Sequence, residues 1–319
     1  MNGMNERIDG IVSTLLEDYS GGKVIDEVER IDHHPEKEAV LDILEKLRRL
    51  IFPGYFKNKD YNIYTLRNNT TMLLEDIIFN LTRQISVVLP CREEYSEACA
   101  ETLASEAERI TFEFLGKIPM IREYLETDLQ AFYDGDPAAY SKDEIIFSYP
   151  GLYAILTSRI AHELFLLGVP LIPRMMTEHA HSITGIDIHP GTKIGKYFFI
   201  DHGTGIVIGE TTEIGSNVKI YQGVTLGALS TRGGQALKNK KRHPTIEDNV
   251  TIYSGASILG GETVIGKGAV IGGNAFITSS VPEGARVSIK TQELLYSFGH
   301  SKPVEKKEFE NADNWYYVI

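Results

Sequence analysis

Asp187 and His202 stand fifteen residues apart in a stretch that also carries His189, Asp201 and Glu210. A carboxylate within reach of an imidazole fixes the tautomer of the ring and stabilises the imidazolium formed when the other nitrogen takes a proton, which suits general-base catalysis. The same spacing also suits an Asp and a His that only brace two turns of chain. His189, followed at once by Pro190, reads as such a brace. A second group lies downstream in Lys238-Asn-Lys-Lys-Arg-His-Pro244. Arg242 offers a planar fork for a carboxylate and His243 a second donor, while the lysines suit phosphates; a solvated basic loop accounts for the run as well.

A six-residue beat has to position these groups. Tyr253, Leu259, Ile265, Ile271 and Ile277 recur at a constant step, Gly260, Gly266 and Gly272 follow three of them, and Ser257, Thr263, Ala269 and Ala275 lie four positions after the first four. An aliphatic residue, a glycine and a small residue in that order suit a chain that turns a corner every six residues around a narrow core, with glycine relieving the bend. The beat is also present at Ile188, Ile194 and Ile200 and, after a two-residue slip, at Ile208, Ile214, Ile220 and Leu226. It breaks across 228–245, which reads as a loop thrown out of the stack. A coil of three hexads takes roughly eighteen residues, so Asp187 and His202 are expected on neighbouring coils near one edge.

Upstream, Ala39, Val40, Ile43, Leu44, Leu47 and Ile51 keep helical spacing until Pro53, and Met72, Leu73, Ile77, Ile78, Leu81 and Ile85 do so until Pro90. Further helices are expected from about Glu93 to Leu115 and from Gly151 to Leu167. The fold class expected is α+β: an α-helical domain over 1–184, a left-handed parallel β-helix of hexapeptide repeats over 185–290, and a tail over 291–319. With 319 residues and 42% hydrophobic composition the chain can hold a large core. A formal net charge of −12 argues against a nucleic-acid or anionic-membrane binder. No apolar run has membrane-spanning length, the N-terminus lacks a secretion signal, and the cytoplasm is the expected location. Cys91 and Cys99, the two cysteines, both lie in the helical half, so no thiolate metal site is expected.

From about Asp136 to Pro282 the chain resembles serine O-acetyltransferase, a hexapeptide-repeat acyltransferase. The resemblance rests on Asp136-Pro-Ala, Ser158-Arg-Ile-Ala-His162, Asp187-Ile-His-Pro, Asp201-His-Gly-Thr-Gly-Ile-Val-Ile-Gly-Glu210, Gly223-Val-Thr-Leu-Gly227 and Arg242-His-Pro244. It implies acetyl transfer from acetyl-CoA to the L-serine hydroxyl in cysteine biosynthesis, with His202 as general base and Asp187 as its acidic partner. Asp136, Asp201, Arg242 and His243, with Glu210 beside them, match the serine site, and Gly227, Ala228, Ser254 and Gly255 match the acetyl-CoA surface. No metal is implied. The absence of a nearby cysteine favours direct transfer over an acyl-enzyme, and backbone N–H groups beside Gly227 and Ala228 are candidate oxyanion donors. Ala228 stands where a second glycine is common, the loop before Arg242 is long, and Ser288-Ile-Lys replaces the usual end of the helix. The resemblance also implies a homotrimer or a dimer of trimers with sites between neighbours, and capture of C-terminal Ile319 by O-acetylserine sulfhydrylase. Trp315, Tyr316 and Tyr317 would otherwise pack back on the protein. Other readings are transfer to a sugar or another hydroxylated acceptor, a zinc lyase of the γ-carbonic-anhydrase type drafting His189, His202 and His243, and a scaffold with a decayed site.

Overall fold

The computed structural model describes residues 2–23, 25–26, 34–56 and 65–289, with the backbone of two short antiparallel strands at Leu294–Leu295 and Lys306–Lys307. Eight helices come first among these residues: α1 (Asn2–Tyr19), α2 (Lys37–Ile51), α3 (Leu66–Val88), α4 (Ala100–Leu115), α5 (Ile118–Gly135), α6 (Lys142–Ser148), α7 (Pro150–Leu166) and α8 (Ile172–Thr184). In α2 the residues Val40, Ile43, Leu44, Leu47 and Ile51 form one buried stripe, as their spacing predicts. Thr65 caps α3 by accepting from the Asn68 N–H at 3.2 Å. Residues Glu93–Tyr95 form a separate turn, so α4 begins at Ala100, later than the sequence suggests. At the end of α8 Gly185 takes φ +71 and hands the chain to the strands.

From there the chain winds through β1 (Ile186–Ile188), β2 (Lys193–Ile194), β3 (Phe199–Asp201), β4 (Ile206–Ile208), β5 (Glu213–Ile214), β6 (Lys219–Tyr221) and β7 (Thr225–Gly227). After a long loop it continues through β8 (Thr245–Ile246), β9 (Thr251–Ile252), β10 (Ser257–Leu259), β11 (Val264–Ile265), β12 (Val270–Ile271), β13 (Phe276–Ile277) and β14 (Arg286–Val287). Every third strand pairs in parallel. Sheet A runs β1-β4-β7-β10-β13, sheet B runs β2-β5-β8-β11 and sheet C runs β3-β6-β9-β12-β14. The result is a solenoid of about five turns.

Two details depart from the hexad reading. Ile252 and Ile258 fill the interior, whereas Tyr253 and Leu259 do not; the fourth coil carries one residue beyond three hexads, so the phase read backwards from Ile265 is off by one. Glycine's role at Gly272 also differs. A Cβ there would lie 2.8 Å from the Val287 carbonyl oxygen of the next coil, so glycine permits close stacking and not a bend. Gly260 does take a positive φ, +108, as expected, and the other bends fall at Gly185, Gly205, Gly223, Gly255 and Asn274, which form a column at the corner between sheets C and A, all with left-handed φ.

One buried ion pair joins the helices to the first coil. Arg159 on α7 donates from Nε and Nη2 to Asp128 on α5 at 2.7 and 2.8 Å, and to the carbonyls of Ile194 and Gly195 at 3.1 and 2.8 Å. Asp128 also accepts from the Phe198 N–H at 2.9 Å. Burial pushes the Asp128 carboxyl up, and the guanidinium and this N–H oppose it. Phe132 meets Phe199 edge-on beside the pair, ring centroids 5.1 Å apart. No described helix is long and apolar enough to cross a membrane. The tail residues Trp315 to Ile319 lie outside the described residues.

Candidate active site

Register decides which residues meet. Ile186 pairs with Ile206 and Asp201 with Tyr221, so the first coil takes twenty residues. Val207, and not His202, therefore stands opposite Asp187. His202 follows β3 at the corner between sheets C and A, in the left-handed conformation at φ +54 and with its side chain 60% exposed. Its Nε2 lies 3.7 Å from the carboxylate of Asp201. Asp187 turns to α8, where an oxygen lies 3.6 Å from Nη1 of Arg174, and no hydrogen bond joins Asp187 to His202 in one chain. The fifteen-residue spacing misleads because a corner absorbs the two-residue slip without disturbing the inward alternation.

The polar residues separate into two groups at opposite edges of sheet A. Beside His202, Asp136 at the end of α5 accepts from the Tyr149 hydroxyl at 2.6 Å and from the Ala138 N–H at 2.8 Å. Burial pushes the Asp201 carboxyl up and the Asp136 charge adds to this, while His202 opposes it. Two carboxylates converging with so little positive charge between them form a receptor for an ammonium group. Ser254 and Gly255 lie two coils higher at the same corner, where the Gly255 N–H already donates to the Gln222 carbonyl at 2.9 Å. Gln222, directly above His202 in register, has a buried side-chain Oε1 with no hydrogen-bond partner. Nothing in the sequence pattern singled it out, because an orphaned acceptor exists only in three dimensions.

At the other edge the loop after Gly227 and Ala228 returns on the second coil. Arg242 pairs with Glu210, and its backbone N–H donates to Thr211 Oγ1 at 2.9 Å. Burial works against the Glu210 charge, but the Arg242 hydrogen bond and the nearby histidines hold its carboxyl below the usual range. His243 is only 8% exposed. Its Nδ1 accepts from the Thr211 N–H at 3.1 Å and lies 2.9 Å from Thr211 Oγ1, so the proton sits on Nε2, which is left as a donor. The ring lies directly over Gly209, where any Cβ would collide with it. His189 is held in the same sense by the Gly191 N–H at 3.0 Å, consistent with a brace. This edge carries two directed donors, the guanidinium and His243 Nε2, and suits a carboxylate.

Burial, with Arg242 next, lowers the His243 pKa to about 4. An unfolded histidine titrates near 6.5. Between those values protons are taken up by the unfolded chain alone, so the stability contributed by neutral His243 is whole above about pH 6.5 and is lost as pH falls towards 4. Melting temperatures of wild type and His243→Gln are expected to converge on acidification across this window; parallel curves would refute the assignment.

Three metal-capable groups, Glu178, His181 and Asp187, bring ligand atoms within 4.8 Å of one another. Arg174 pairs with both carboxylates, which makes the cluster a salt-bridge network and a poor cation site. His189 and His243 lie at one edge and His202 at the other, so one chain does not gather the three histidines that a zinc lyase would need.

No family model matches the chain. A serine acetyltransferase of Synechococcus elongatus is 45% identical over 225 residues, 69% of this chain and 70% of that protein. The serine acetyltransferase of Bacillus licheniformis is 50% identical over 133 residues, 42% of this chain and 59% of that protein. Among solved structures, serine acetyltransferase 1 of Entamoeba histolytica in complex with L-cysteine superposes with a TM-score of 0.67 at 35% identity, covering 90% of this chain and all of that one. The Neisseria gonorrhoeae serine acetyltransferase in complex with serine gives 0.51 at 28% identity, with 78% and 95% covered.

Proposed function

The chain belongs to the serine acetyltransferase family, and we propose that it moves the acetyl group of acetyl-CoA to the hydroxyl of L-serine through His202, in a site completed by a second copy of the chain. Serine oxygen is a weak nucleophile at neutral pH. His202 takes the hydroxyl proton as that oxygen bonds to the thioester carbon; the C–S bond then breaks, and the imidazolium returns the proton to the leaving thiolate. The products are O-acetyl-L-serine and CoA, which places the reaction in cysteine biosynthesis. Asp201 is the nearest carboxylate to the imidazole. Asp187 keeps its family role as the acidic partner only if it exchanges Arg174 for His202.

The division of charge carries this reading. An ammonium receptor (Asp136, Asp201) and a carboxylate receptor (Arg242, His243) lie at opposite edges of sheet A, a strand of three residues plus two corners apart, roughly 10 Å or more. Serine holds its two charged groups on one carbon. A single chain therefore cannot grip both ends, but two solenoids packed edge to edge can bring the Arg242 edge of one to the His202 edge of the next. A trimer closes such a head-to-tail contact, and the helical regions would pair two trimers. Acetyl-CoA would lie along the same seam, past Gly227, Ala228, Ser254 and Gly255. Capture of Ile319 by a sulfhydrylase and a cytoplasmic location belong to this proposal.

A thiol-release assay comparing L-serine with ethanolamine and a hexose tests the acceptor, and preference for the hexose would reject it. Arg242→Gln is expected to raise KM for serine by roughly ten- to a hundredfold, the scale of a lost charge-assisted hydrogen bond, with KM for acetyl-CoA nearly unchanged. An unaltered serine KM would remove Arg242 from the site.

A further inference from the structure

The segment Ser158-Arg-Ile-Ala-His162 takes no part in the chemistry above, yet it walls a cleft of about 270 Å³ between α5, α7 and the first coil of the solenoid. Ser158 is only 2% exposed, lines this cleft, and its hydroxyl has no hydrogen-bond partner among the described residues. A helical serine ordinarily returns its proton to the carbonyl one turn earlier. Its oxygen is instead reached from the cleft, where it can bond a bound group.

The rest of the lining states what kind. His162 donates from Nδ1 to the Pro190 carbonyl at 2.8 Å, so in the neutral ring Nε2 is an acceptor. Glu163 forms no salt bridge and no side-chain hydrogen bond among the described residues. The cations nearby are already matched, Arg159 by Asp128 and Lys193 by Glu213 at 3.0 Å. Acceptors and one uncompensated carboxylate thus face a floor of Met120, Ile121 and Ile194. We propose that this cleft binds a small organic ammonium compound, its charged end on Glu163, Ser158 and His162 Nε2 and its hydrocarbon on that floor. The site is separate from the acetyl-transfer centre and does not depend on that assignment.

Probes of one size and three charges decide it: n-butylammonium, n-butanol and butyrate at matched ionic strength, each titrated into the full-length protein while melting temperature is followed. A saturable rise is expected for butylammonium alone. Glu163→Gln should weaken it by roughly ten- to a hundredfold, and Asp201→Asn, at the other carboxylate pair, should leave it in place. Methyl resonances of Met120 and Ile194 in the wild-type protein should shift with the same titration, a readout that needs no variant. No saturable response, an equal response to butanol, loss in Asp201→Asn with retention in Glu163→Gln, or unmoved Met120 and Ile194 methyls would each overturn the proposal.

Discussion

Replacing His202 with Asn is expected to lower kcat for acetyl transfer by at least two orders of magnitude, within the range a general base contributes, while the protein stays folded. Asparagine is the informative choice because the backbone at this corner is left-handed, φ +54, a conformation that Asn adopts more readily than most residues. The side chain is mostly exposed and makes no hydrogen bond whose loss would unravel the coil. Activity and stability should therefore separate cleanly. Thiol release measured at saturating serine and acetyl-CoA, beside a thermal melt, gives both quantities. A loss of less than about tenfold would mean that some other group removes the proton, and the catalytic reading would fail.

Asp128→Ala should produce the largest loss of stability, about 3–5 kcal/mol, because it strands the Arg159 guanidinium in a buried position. The pair ties α5 and α7 to the carbonyls of Ile194 and Gly195 and to the Phe198 N–H. Losing the carboxylate removes both the counter-charge and the acceptor for that N–H. Removing both charges, as in Asp128→Leu with Arg159→Met, should cost markedly less than the single change, since a buried pair exchanged for apolar groups leaves no unpaired ion. Urea denaturation of the three proteins measures the difference. A single variant within about 1 kcal/mol of wild type would show that water reaches the guanidinium and that the joint rests on Phe132 and Phe199 packing.

The helices α2 and α3 were legible because a stripe of buried aliphatics repeats within one element, and α7, buried almost all round, because it is apolar over most of its length; burial is then a local property. Three other helices carry weaker signals. α5 opens on Pro119 and ends in Gly135, α6 has only seven residues, and α8 takes its place from packing on α7 and on α2. In the site, residue types were legible and their partnerships were not. Arg242 and Glu210 were both named from sequence, yet their pairing arises only because a loop of some seventeen residues folds back across the second coil. Ser158 and His162 stood in a recognised string, with Glu163 next to it unremarked, and their cleft is formed with residues of α5 and β2, remote in sequence.

By itself the sequence determined that the last third of the chain is a stacked solenoid, since the inward position is set by neighbours a few residues away and a six-residue beat admits few other folds. It also determined the family, through strings such as Asp201-His-Gly-Thr-Gly. Only the tertiary structure decided which residues stand above one another. Coils advance by twenty residues from Ile186 to Ile206, by eighteen from Val207 to Thr225 and by nineteen from Ser257 to Phe276. A corner accepts an extra residue or an entire loop while the flanking strands keep their inward faces, so spacing along the chain does not fix distance between coils. That freedom moved Asp187 from His202 to Arg174, and it set the Asp136–Asp201 carboxylates and the Arg242–His243 donors at opposite edges of one sheet.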